Sequence, residues 1–303
     1  MSELTFEPTL NNSIFNTEKT LLILGPTGVG KSALAIQLAK QLNREIISAD
    51  AFQVYKHMDI GTAKVSKEIQ REIPHHLIDI IEPNEPYSVA HFTAQTDAIL
   101  TKLKTENKKA IICGGTGFFL KAFLYRYEFP DLKTDANLRE KYIEKASEYG
   151  SEAIWTKLQE IDPATAESIN KNDTKRIIRA LEIFTQTNTK PSEVRQNNKD
   201  QRTDVEIIGL SMPRETLIDV INKRVDIMIK EGLIEDVETL LKTYSDKCLA
   251  FQAIGYKETI QFLNGSLSKE EMIELVKLKT RQFSKRQMTW YRNLNNVQWH
   301  NVT

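Results

Sequence analysis

The sequence is poor in cysteine and carries no excess charge of either sign. Its 303 residues include only two cysteines, Cys113 and Cys248, which lie far apart and lack the spacing of metal ligands. A disulfide framework and a zinc site are therefore not expected. The 41 basic residues equal the 41 acidic residues, so the formal net charge is zero. Any basic surface that binds nucleic acid must consequently be local.

Long hydrophobic runs are also missing. No apolar segment approaches the length of a membrane-spanning helix, and residues 1–19 lack the apolar core of a signal peptide. We therefore expect a cytoplasmic protein with a loosely ordered tail at residues 1–19 and no membrane partner. With 40% hydrophobic and 27% charged residues, the composition is that of an ordinary globular protein.

What the sequence does contain is a glycine-rich motif, GPTGVGKS, at residues 25–32. An apolar run precedes it and an amphipathic run follows, which predicts a strand, a phosphate-binding loop (P-loop) and a helix. The loop amides and the helix N-terminus can then point at phosphate oxygens. A chance glycine-rich turn is the alternative. The motif predicts a diphosphate- or nucleotide-binding site formed by Gly25, Pro26, Thr27, Gly28, Val29, Gly30, Lys31 and Ser32, with the Ser32 hydroxyl as a ligand of Mg²⁺.

Two further polar residues follow predicted strands. Asp50 comes after a short strand at residues 45–48, and Thr116 lies in a GGTG turn after a buried strand at 109–113. In open α/β sheets, ligands bind beyond the carboxyl ends of the strands, so both side chains are expected near the P-loop. From position alone, Asp50 is equally well explained as a helix cap or turn residue.

The strands alternate with helices, which predicts an α/β fold with a doubly wound parallel sheet of the P-loop NTPase type. The alternation stops near residue 125, and residues 125–200 show helical periodicity without a convincing strand. A strand at 205–210 then returns to the sheet, and the rest of the chain is predicted to be helical. We thus predict a core of residues 20–124 and 201–303 with an all-helical insertion domain at 125–200.

Two adjacent histidines, His75 and His76, precede a predicted strand at residues 77–81. No acidic third ligand lies nearby in the sequence. The pair therefore favours packing and hydrogen bonding over metal binding.

The last predicted helix is unusually basic. Residues 275–292 include six lysines and arginines and no acidic residue, and Lys277, Arg281 and Lys285 share one helical face. A solvated helix face is one interpretation. The lack of acidic partners in this segment favours a surface for an anion or a nucleic acid.

Nine motifs together resemble one known family. In order they are GPTGVGKSAL (25–34), ISADAFQVY (47–55), DIGTAK (59–64), PHHLIDI (74–80), YSVAHF (87–92), GGTGFFLKA (114–122), NDTKRIIRALEI (172–183), AIGYKE (253–258) and KRQMTWYRN (285–293). This series resembles the bacterial tRNA dimethylallyltransferases over about residues 20–299. The sequence departs from the family pattern at Ala51, where many members carry serine, and at Val65, where proline is usual.

The resemblance implies a reaction and its catalytic residues. The family transfers a dimethylallyl group from dimethylallyl diphosphate to N6 of the adenosine 3′-adjacent to the anticodon, with Mg²⁺ as cofactor and pyrophosphate as leaving group. Asp50 matches the catalytic aspartate and Thr116 its hydroxyl partner, while Lys31 would stabilise the leaving group. Arg224 is the candidate for a second cation on the pyrophosphate.

The resemblance also implies a tRNA partner and no obligate protein partner, with the chain acting as a monomer. The insertion would clamp the anticodon stem-loop, and the target base would leave its stack to be reached. The residues expected to face tRNA are Asp50, Ala51, Phe52, Gln53, Thr116, Arg139, Lys175, Arg176, Ile177, Ile178, Arg179, Gln252, Ala253, Ile254, Gly255, Tyr256 and Lys257.

Three other functions share some of these features. A small-molecule P-loop kinase would have the same loop but would use ATP as donor. A dimethylallyltransferase acting on free adenine nucleotides would need neither the insertion nor the basic helix. A non-enzymatic P-loop RNA-binding protein would not need Asp50 and Thr116 at strand ends near the loop.

Overall fold

The computed structural model describes residues 17–129, 136–194 and 200–302. Six strands form one sheet in the order β3-β2-β4-β1-β5-β6, and every neighbouring pair is parallel. The strands are β1 (Thr20–Leu24), β2 (Glu45–Ser48), β3 (His75–His76), β4 (Ala110–Cys113), β5 (Val205–Ser211) and β6 (Val297–Asn301). The predicted α/β class with a parallel sheet is confirmed.

Helices connect and flank these strands. They are α1 (Lys31–Leu42), α2 (Lys67–Glu72), α3 (Val89–Thr105), α4 (Gly117–Leu124), α5 (Ala136–Tyr149), α6 (Ser151–Ile161), α7 (Pro163–Ser168), α8 (Thr174–Thr187), α9 (Pro191–Val194), α10 (Arg214–Lys230), α11 (Leu233–Leu241), α12 (Tyr256–Leu263) and α13 (Lys269–Tyr291). A short 3₁₀ helix covers Leu249–Gln252. Within the described ranges, none of these helices is long and apolar enough to cross a bilayer.

The central strands are buried on both faces, since consecutive residues of β1 and β4 are buried. Leu21 and Ile23 of β1, Ile111 of β4 and Ile208 of β5 are fully buried, and Leu34 of α1 packs against the same cluster. Continuous apolar runs of this kind are typical of buried parallel strands. Strands β2, β4 and β1 are neighbours in the sheet and parallel. Their carboxyl ends, and the loops that follow them, therefore lie side by side at one edge of the sheet.

The described residues pack into two compact units. One contains the chain up to Leu124 together with the chain from Gln201 onward, and the other is Tyr125–Asp200. In the described part of the second unit, the regular elements are the helices α5–α9. This helical unit has its own apolar core, which includes Tyr142, Ile154, Leu158 and Leu181.

Two predictions about strands are wrong. Residues 77–81 do not form a strand, because Leu77 and Asp79 take left-handed backbone angles with φ of 61° and 56°. The parallel pairing instead involves His75 and His76 themselves, which form β3. In addition, the region after residue 210 is not wholly helical, since β6 adds a sixth strand beside β5. The predicted N-terminal tail lies outside the described residues except for positions 17–19.

Candidate active site

The P-loop joins β1 to α1, as predicted. Gly30 is the N-cap of α1 and has φ of 93°, a left-handed angle that side chains other than hydrogen disfavour. Among the residues that the structure describes, no side chain caps this helix. The N–H groups of its first turn therefore remain available to an anion, and the positive end of the helix dipole points the same way.

The Lys31 side chain is held by the backbone of the P-loop. Its Nζ donates a hydrogen bond to the Pro26 carbonyl at 2.9 Å. The pKa of Lys31 is lowered to about 8, mainly by burial; Arg224 contributes to this lowering, whereas Cys113 and Asp50 oppose it. Ser32, the next residue, is exposed on the first turn of α1. Both residues therefore lie on the first turn of α1, next to the loop.

Asp50 follows β2 and serves as a turn residue through one oxygen only. Oδ1 accepts hydrogen bonds from the backbone N–H groups of Phe52, at 2.9 Å, and Gln53, at 3.4 Å. Among the described residues, Oδ2 accepts no hydrogen bond and the carboxylate makes no ion pair. The turn and the catalytic interpretations are therefore compatible, since each uses a different oxygen.

Thr116 lies in the loop after β4 and contacts the loop after β2. Its Oγ1 accepts a hydrogen bond from the Ala51 N–H at 3.0 Å, and its own N–H donates to the Ala49 carbonyl at 3.2 Å. Because the hydroxyl acts here as an acceptor, its proton remains available for a ligand. The two loops are close enough that a Cβ on Gly114 would lie 2.3 Å from the Ala49 carbonyl oxygen.

Arg224 of α10 completes a charged centre. Its guanidinium is desolvated, which lowers its pKa, and the Asp50 carboxylate opposes that shift. Lys31 also interacts electrostatically with both groups. Two cations and one carboxylate therefore share a site without forming ion pairs closer than 4.0 Å among the described residues. This arrangement leaves both cations available to an anionic ligand.

The residues of the P-loop fit a magnesium ion that a bound diphosphate would help to hold. Within the described ranges, no group of three His, Cys, Asp or Glu side chains could hold a metal by itself. The P-loop instead offers the Ser32 hydroxyl beside the amides that would hold a diphosphate. Mg²⁺ in such sites takes few protein ligands and completes its shell with phosphate oxygens and water.

The two histidines are held by hydrogen bonds. The His75 ring pairs with the Ile73 carbonyl at 2.7 Å, and the His76 ring pairs with the Glu45 carboxylate at 2.7 Å. The predicted hydrogen bonding of the pair is therefore confirmed.

Two of the residues next to Asp50 that were predicted to face tRNA make contacts within the protein. Gln53 accepts a hydrogen bond from the Ser48 hydroxyl at 2.8 Å and donates one to the Thr62 carbonyl at 3.2 Å. Phe52 packs against the apolar cluster that contains Tyr256. Ala51 is partly exposed and offers its methyl group only.

The predicted segment at residues 252–257 divides in the same way. Gln252 and Lys257 are exposed, and Ile254 is partly exposed. Ala253, Gly255 and Tyr256 are buried, and the Tyr256 hydroxyl donates to Asp236 at 2.9 Å. In this segment, only the side chains of Gln252, Ile254 and Lys257 can therefore reach a ligand.

In the helical unit, two predicted arginines share one buried carboxylate. Arg139 and Arg179 both bind Glu182, which is fully buried, at 3.1 and 3.3 Å. Each arginine is 42% exposed, so part of each guanidinium remains accessible. The same buried carboxylate therefore fixes the positions of both guanidinium groups.

The remaining residues predicted in α8 differ in exposure. Lys175 is exposed, and Arg176 is exposed and pairs with Asp173 at 3.3 Å. Ile177 and Ile178 are buried in the core of the helical unit, so their side chains offer no surface to RNA. The motif that they share with the family is explained by packing.

Helix α13 also differs from expectation. Lys277 has acidic partners after all, Asp226 at 2.9 Å and Glu274 at 3.2 Å, because α10 packs beside it and its own preceding turn is acidic. Arg281 donates to Asn222 on α10 at 2.7 Å. In the part of the chain that the structure describes, Arg281 has no ion pair, and neither do the other four cations of residues 275–292: Lys279, Lys285, Arg286 and Arg292.

Two residues of α13 that reach the site were not predicted from the sequence. Gln287 and Tyr291 are buried and both donate hydrogen bonds to the Gly115 carbonyl, at 2.8 and 3.0 Å. The available signal was a glutamine on the apolar face of the helix, in register with Val276 and Tyr291.

Comparison with known proteins identifies the family. The family model described as IPP transferase matches residues 53–294, and a second one, isopentenyl transferase, matches residues 18–79. This chain belongs to the IPP transferase family. The resemblance found in the motifs is therefore confirmed.

Relatives of this IPP transferase cover almost its whole length. The tRNA dimethylallyltransferase of Acetivibrio thermocellus is 44% identical over 94% of this chain and 92% of the relative. That of Bacillus cereus strain AH187 is 46% identical over 94% and 90%.

Solved structures of the IPP transferase family agree with the fold. A tRNA isopentenylpyrophosphate transferase from Bacillus halodurans has a TM-score of 0.69 and 39% identity, covering 94% of this chain and 90% of its own. A eukaryotic dimethylallyltransferase acting on tRNA has a TM-score of 0.80 and 29% identity, covering 94% and 74%. The architecture is thus shared across distant members.

Proposed function

We propose that this IPP transferase moves a dimethylallyl group from dimethylallyl diphosphate to N6 of the adenosine 3′-adjacent to the anticodon of tRNA, position 37. The observation that carries the proposal is the meeting of Lys31 and Arg224 with an unpaired Asp50 oxygen at one edge of the sheet. Cations suit a diphosphate leaving group, and a free carboxylate oxygen suits an amine nucleophile. The names of the relatives support tRNA as the acceptor.

The cationic groups act on the leaving group. As the bond between the allylic carbon and the diphosphate oxygen breaks, negative charge grows on pyrophosphate. The P-loop amides, Lys31 and Arg224 are positioned to stabilise that charge more strongly than the charge of the intact substrate. The Ser32 hydroxyl would be one ligand of a bound Mg²⁺, which would supply further neutralisation of the negative charge.

Asp50 acts on the nucleophile. Its Oδ1 is held by the turn, while Oδ2 can accept a hydrogen bond from the exocyclic amine of adenine. The nitrogen lone pair forms the new bond to the allylic carbon, the carbon–oxygen pair leaves with pyrophosphate, and the proton lost from N6 passes to Oδ2. The Thr116 hydroxyl, which keeps its proton, can orient the same base.

Exposed cations supply binding to the RNA backbone. Lys285, Arg286 and Arg292 of the α13 segment lack ion pairs among the described residues, and Lys175 and Arg176 are exposed on the helical unit. Phosphate contacts of this kind position an RNA without reading its sequence. We propose that the chain acts as a monomer in the cytoplasm, where its RNA substrate resides.

The direct test supplies both substrates. The protein is incubated with Mg²⁺, labelled dimethylallyl diphosphate and unmodified tRNA, and the RNA is digested to locate the label. We expect label on the adenosine that follows the anticodon. Parallel reactions with labelled ATP and with free adenine nucleotides test the kinase and the nucleotide-modifying alternatives. Transfer to either of these, with none to tRNA, would contradict the proposal.

The role of Asp50 is tested by Asp50→Asn. The variant keeps Oδ1, and with it the turn, but replaces Oδ2 by a group that cannot accept the proton. Single-turnover transfer should fall about a hundred- to ten-thousand-fold, while diphosphate and tRNA affinities stay nearly unchanged. Asp246→Asn, on an exposed loop, is the matched control.

Two other outcomes would point to other roles of Asp50. A near-normal transfer rate would mean that Asp50 only stabilises the turn through its hydrogen bonds to the backbone. Weaker diphosphate binding, with activity restored by added Mg²⁺, would make it a metal ligand instead of a base.

A further inference from the structure

The inward face of α13 carries a side chain that the proposed reaction does not yet use. Gln287 is only 2% exposed, and it lies one turn before the fully buried Tyr291. A buried polar side chain must find partners, because an unsatisfied donor or acceptor inside a protein is costly. The partners of this amide are backbone groups of the two glycine-rich loops.

The amide joins these loops with defined polarity. Its Oε1 accepts a hydrogen bond from the Thr27 N–H of the P-loop at 2.7 Å, and its Nε2 donates to the Gly115 carbonyl at 2.8 Å. The orientation of the amide follows from its partners, since a backbone N–H only donates and a carbonyl only accepts. An amide satisfies both at any pH, because it carries a donor and an acceptor on one planar group.

The second loop is shaped to receive this amide. A Cβ added to Gly115 would lie 2.4 Å from Gln287 Nε2, so any larger residue would displace the amide. The same Cβ would lie 4.0 Å from Asp50 Oδ2. The amide therefore reaches the turn directly beside the oxygen that is available to a substrate.

From these contacts we propose that Gln287 is a positioning residue for group transfer. It holds the start of the P-loop and the Gly115–Thr116 turn at a fixed separation. The allylic carbon of the bound dimethylallyl diphosphate is thereby aligned with the amine that Asp50 holds. The inference rests on the proposed function, because it assigns the diphosphate to one loop and the amine to the other. Misplacement of reacting groups by about 1 Å can cost about a hundredfold in rate.

The coupling can be measured without turnover by hydrogen exchange. The probe is inorganic pyrophosphate with Mg²⁺, read on peptides that cover residues 25–32 and 112–118. In the unaltered protein we expect the probe to slow exchange in both peptides. In Gln287→Met, which keeps the side-chain length but has neither donor nor acceptor, slowing should persist at 25–32 and disappear at 112–118. Slowing of both peptides in the variant would overturn the proposal.

Kinetics give the second measurement. Single-turnover transfer by Gln287→Met should fall about ten- to a hundredfold, with tRNA and diphosphate affinities changed less than about threefold. The loss should be less than multiplicative when combined with Asp50→Asn, because both changes affect one alignment. Fully multiplicative losses, or a loss equal to the fraction of unfolded protein, would overturn the proposal. Gln282→Met, on the exposed face of the same helix, is the matched control.

A second variant separates alignment from packing. Gln287→Glu reproduces the pattern of the amide only when its carboxyl is protonated, since only then can it donate to Gly115. Its deficit relative to the unaltered protein should therefore shrink as the pH falls from about 8 to about 6, because burial raises the pKa of a carboxyl. A deficit that does not change with pH would contradict the proposal. If the unaltered protein transfers nothing to tRNA, the proposed function fails, while the exchange experiment still decides the coupling.

Discussion

Binding of the diphosphate should weaken as the pH rises through about 8, because the ligand needs Lys31 in its charged form. Burial lowers the pKa of this ammonium from 10.5 to about 8 in the free protein. A bound diphosphate adds negative charge beside it and should return the pKa toward its ordinary value or above. Cys113, which faces Lys31, has a pKa raised to about 11 by burial and so stays neutral in this range.

The magnitude follows from the fraction of protein in which Lys31 carries its proton. That fraction is about nine-tenths at pH 7, one half at pH 8 and one-tenth at pH 9 for a pKa of about 8. The dissociation constant for dimethylallyl diphosphate, measured without tRNA, should therefore rise about tenfold between pH 7 and pH 9. Binding should take up about half a proton at pH 8 and nearly one at pH 9.

Isothermal titration calorimetry measures both quantities at constant Mg²⁺. Repeating each titration in two buffers with different ionisation enthalpies gives the number of protons taken up. Lys31→Met should bind weakly, and any pH dependence that it retains belongs to the ligand or to other groups. An affinity that is the same at pH 7 and pH 9, with no proton uptake, would refute the reasoning.

Two further changes test the surface and the helical unit. Replacing Lys285 and Arg286 by glutamine should weaken tRNA binding and reduce its salt slope by about one per lost phosphate contact, whereas Lys277→Gln, whose cation is already paired, should leave the slope unchanged. An unchanged salt slope in the double variant would mean that these two cations lie on a solvated helix face and do not contact RNA. Glu182→Gln should lower the free energy of unfolding of the helical unit by about 2 kcal/mol in chemical denaturation, because two arginines lose a buried charged acceptor. Arg139→Gln should cost less, since a second arginine still faces the carboxylate, and an equal cost would contradict this account.

The features that the sequence predicted well are those encoded within a few residues. The strand, loop and helix around residues 25–32 form as expected, because glycine spacing and apolar runs act locally. The parallel sheet followed from the alternation of elements. The wrong strand at 77–81 shows the limit of that signal, since a left-handed angle at Leu77 is not visible in its apolar pattern.

What escaped prediction depends on contacts between distant parts of the chain. One of the two acidic partners of Lys277, Asp226, belongs to another helix and could not be recognised from the local sequence. β6 was missed because it is a short edge strand with partly exposed residues, so it lacks a buried run. Gln287 gave only a weak signal, since its partners Gly115 and Thr27 lie 172 and 260 residues away along the chain.

The large separation between Thr27 and Gln287 has a consequence for synthesis of the protein on the ribosome. The P-loop emerges early, but its partner on α13 emerges 260 residues later. Strand β5, which pairs with β1 in the middle of the sheet, is also translated only after the helical unit. At ordinary elongation rates of about 5–20 residues per second, the nascent chain spends more than about ten seconds with an unfinished sheet edge. The helical unit, whose contacts are close in sequence, is therefore expected to fold first, and the catalytic loops to be joined last.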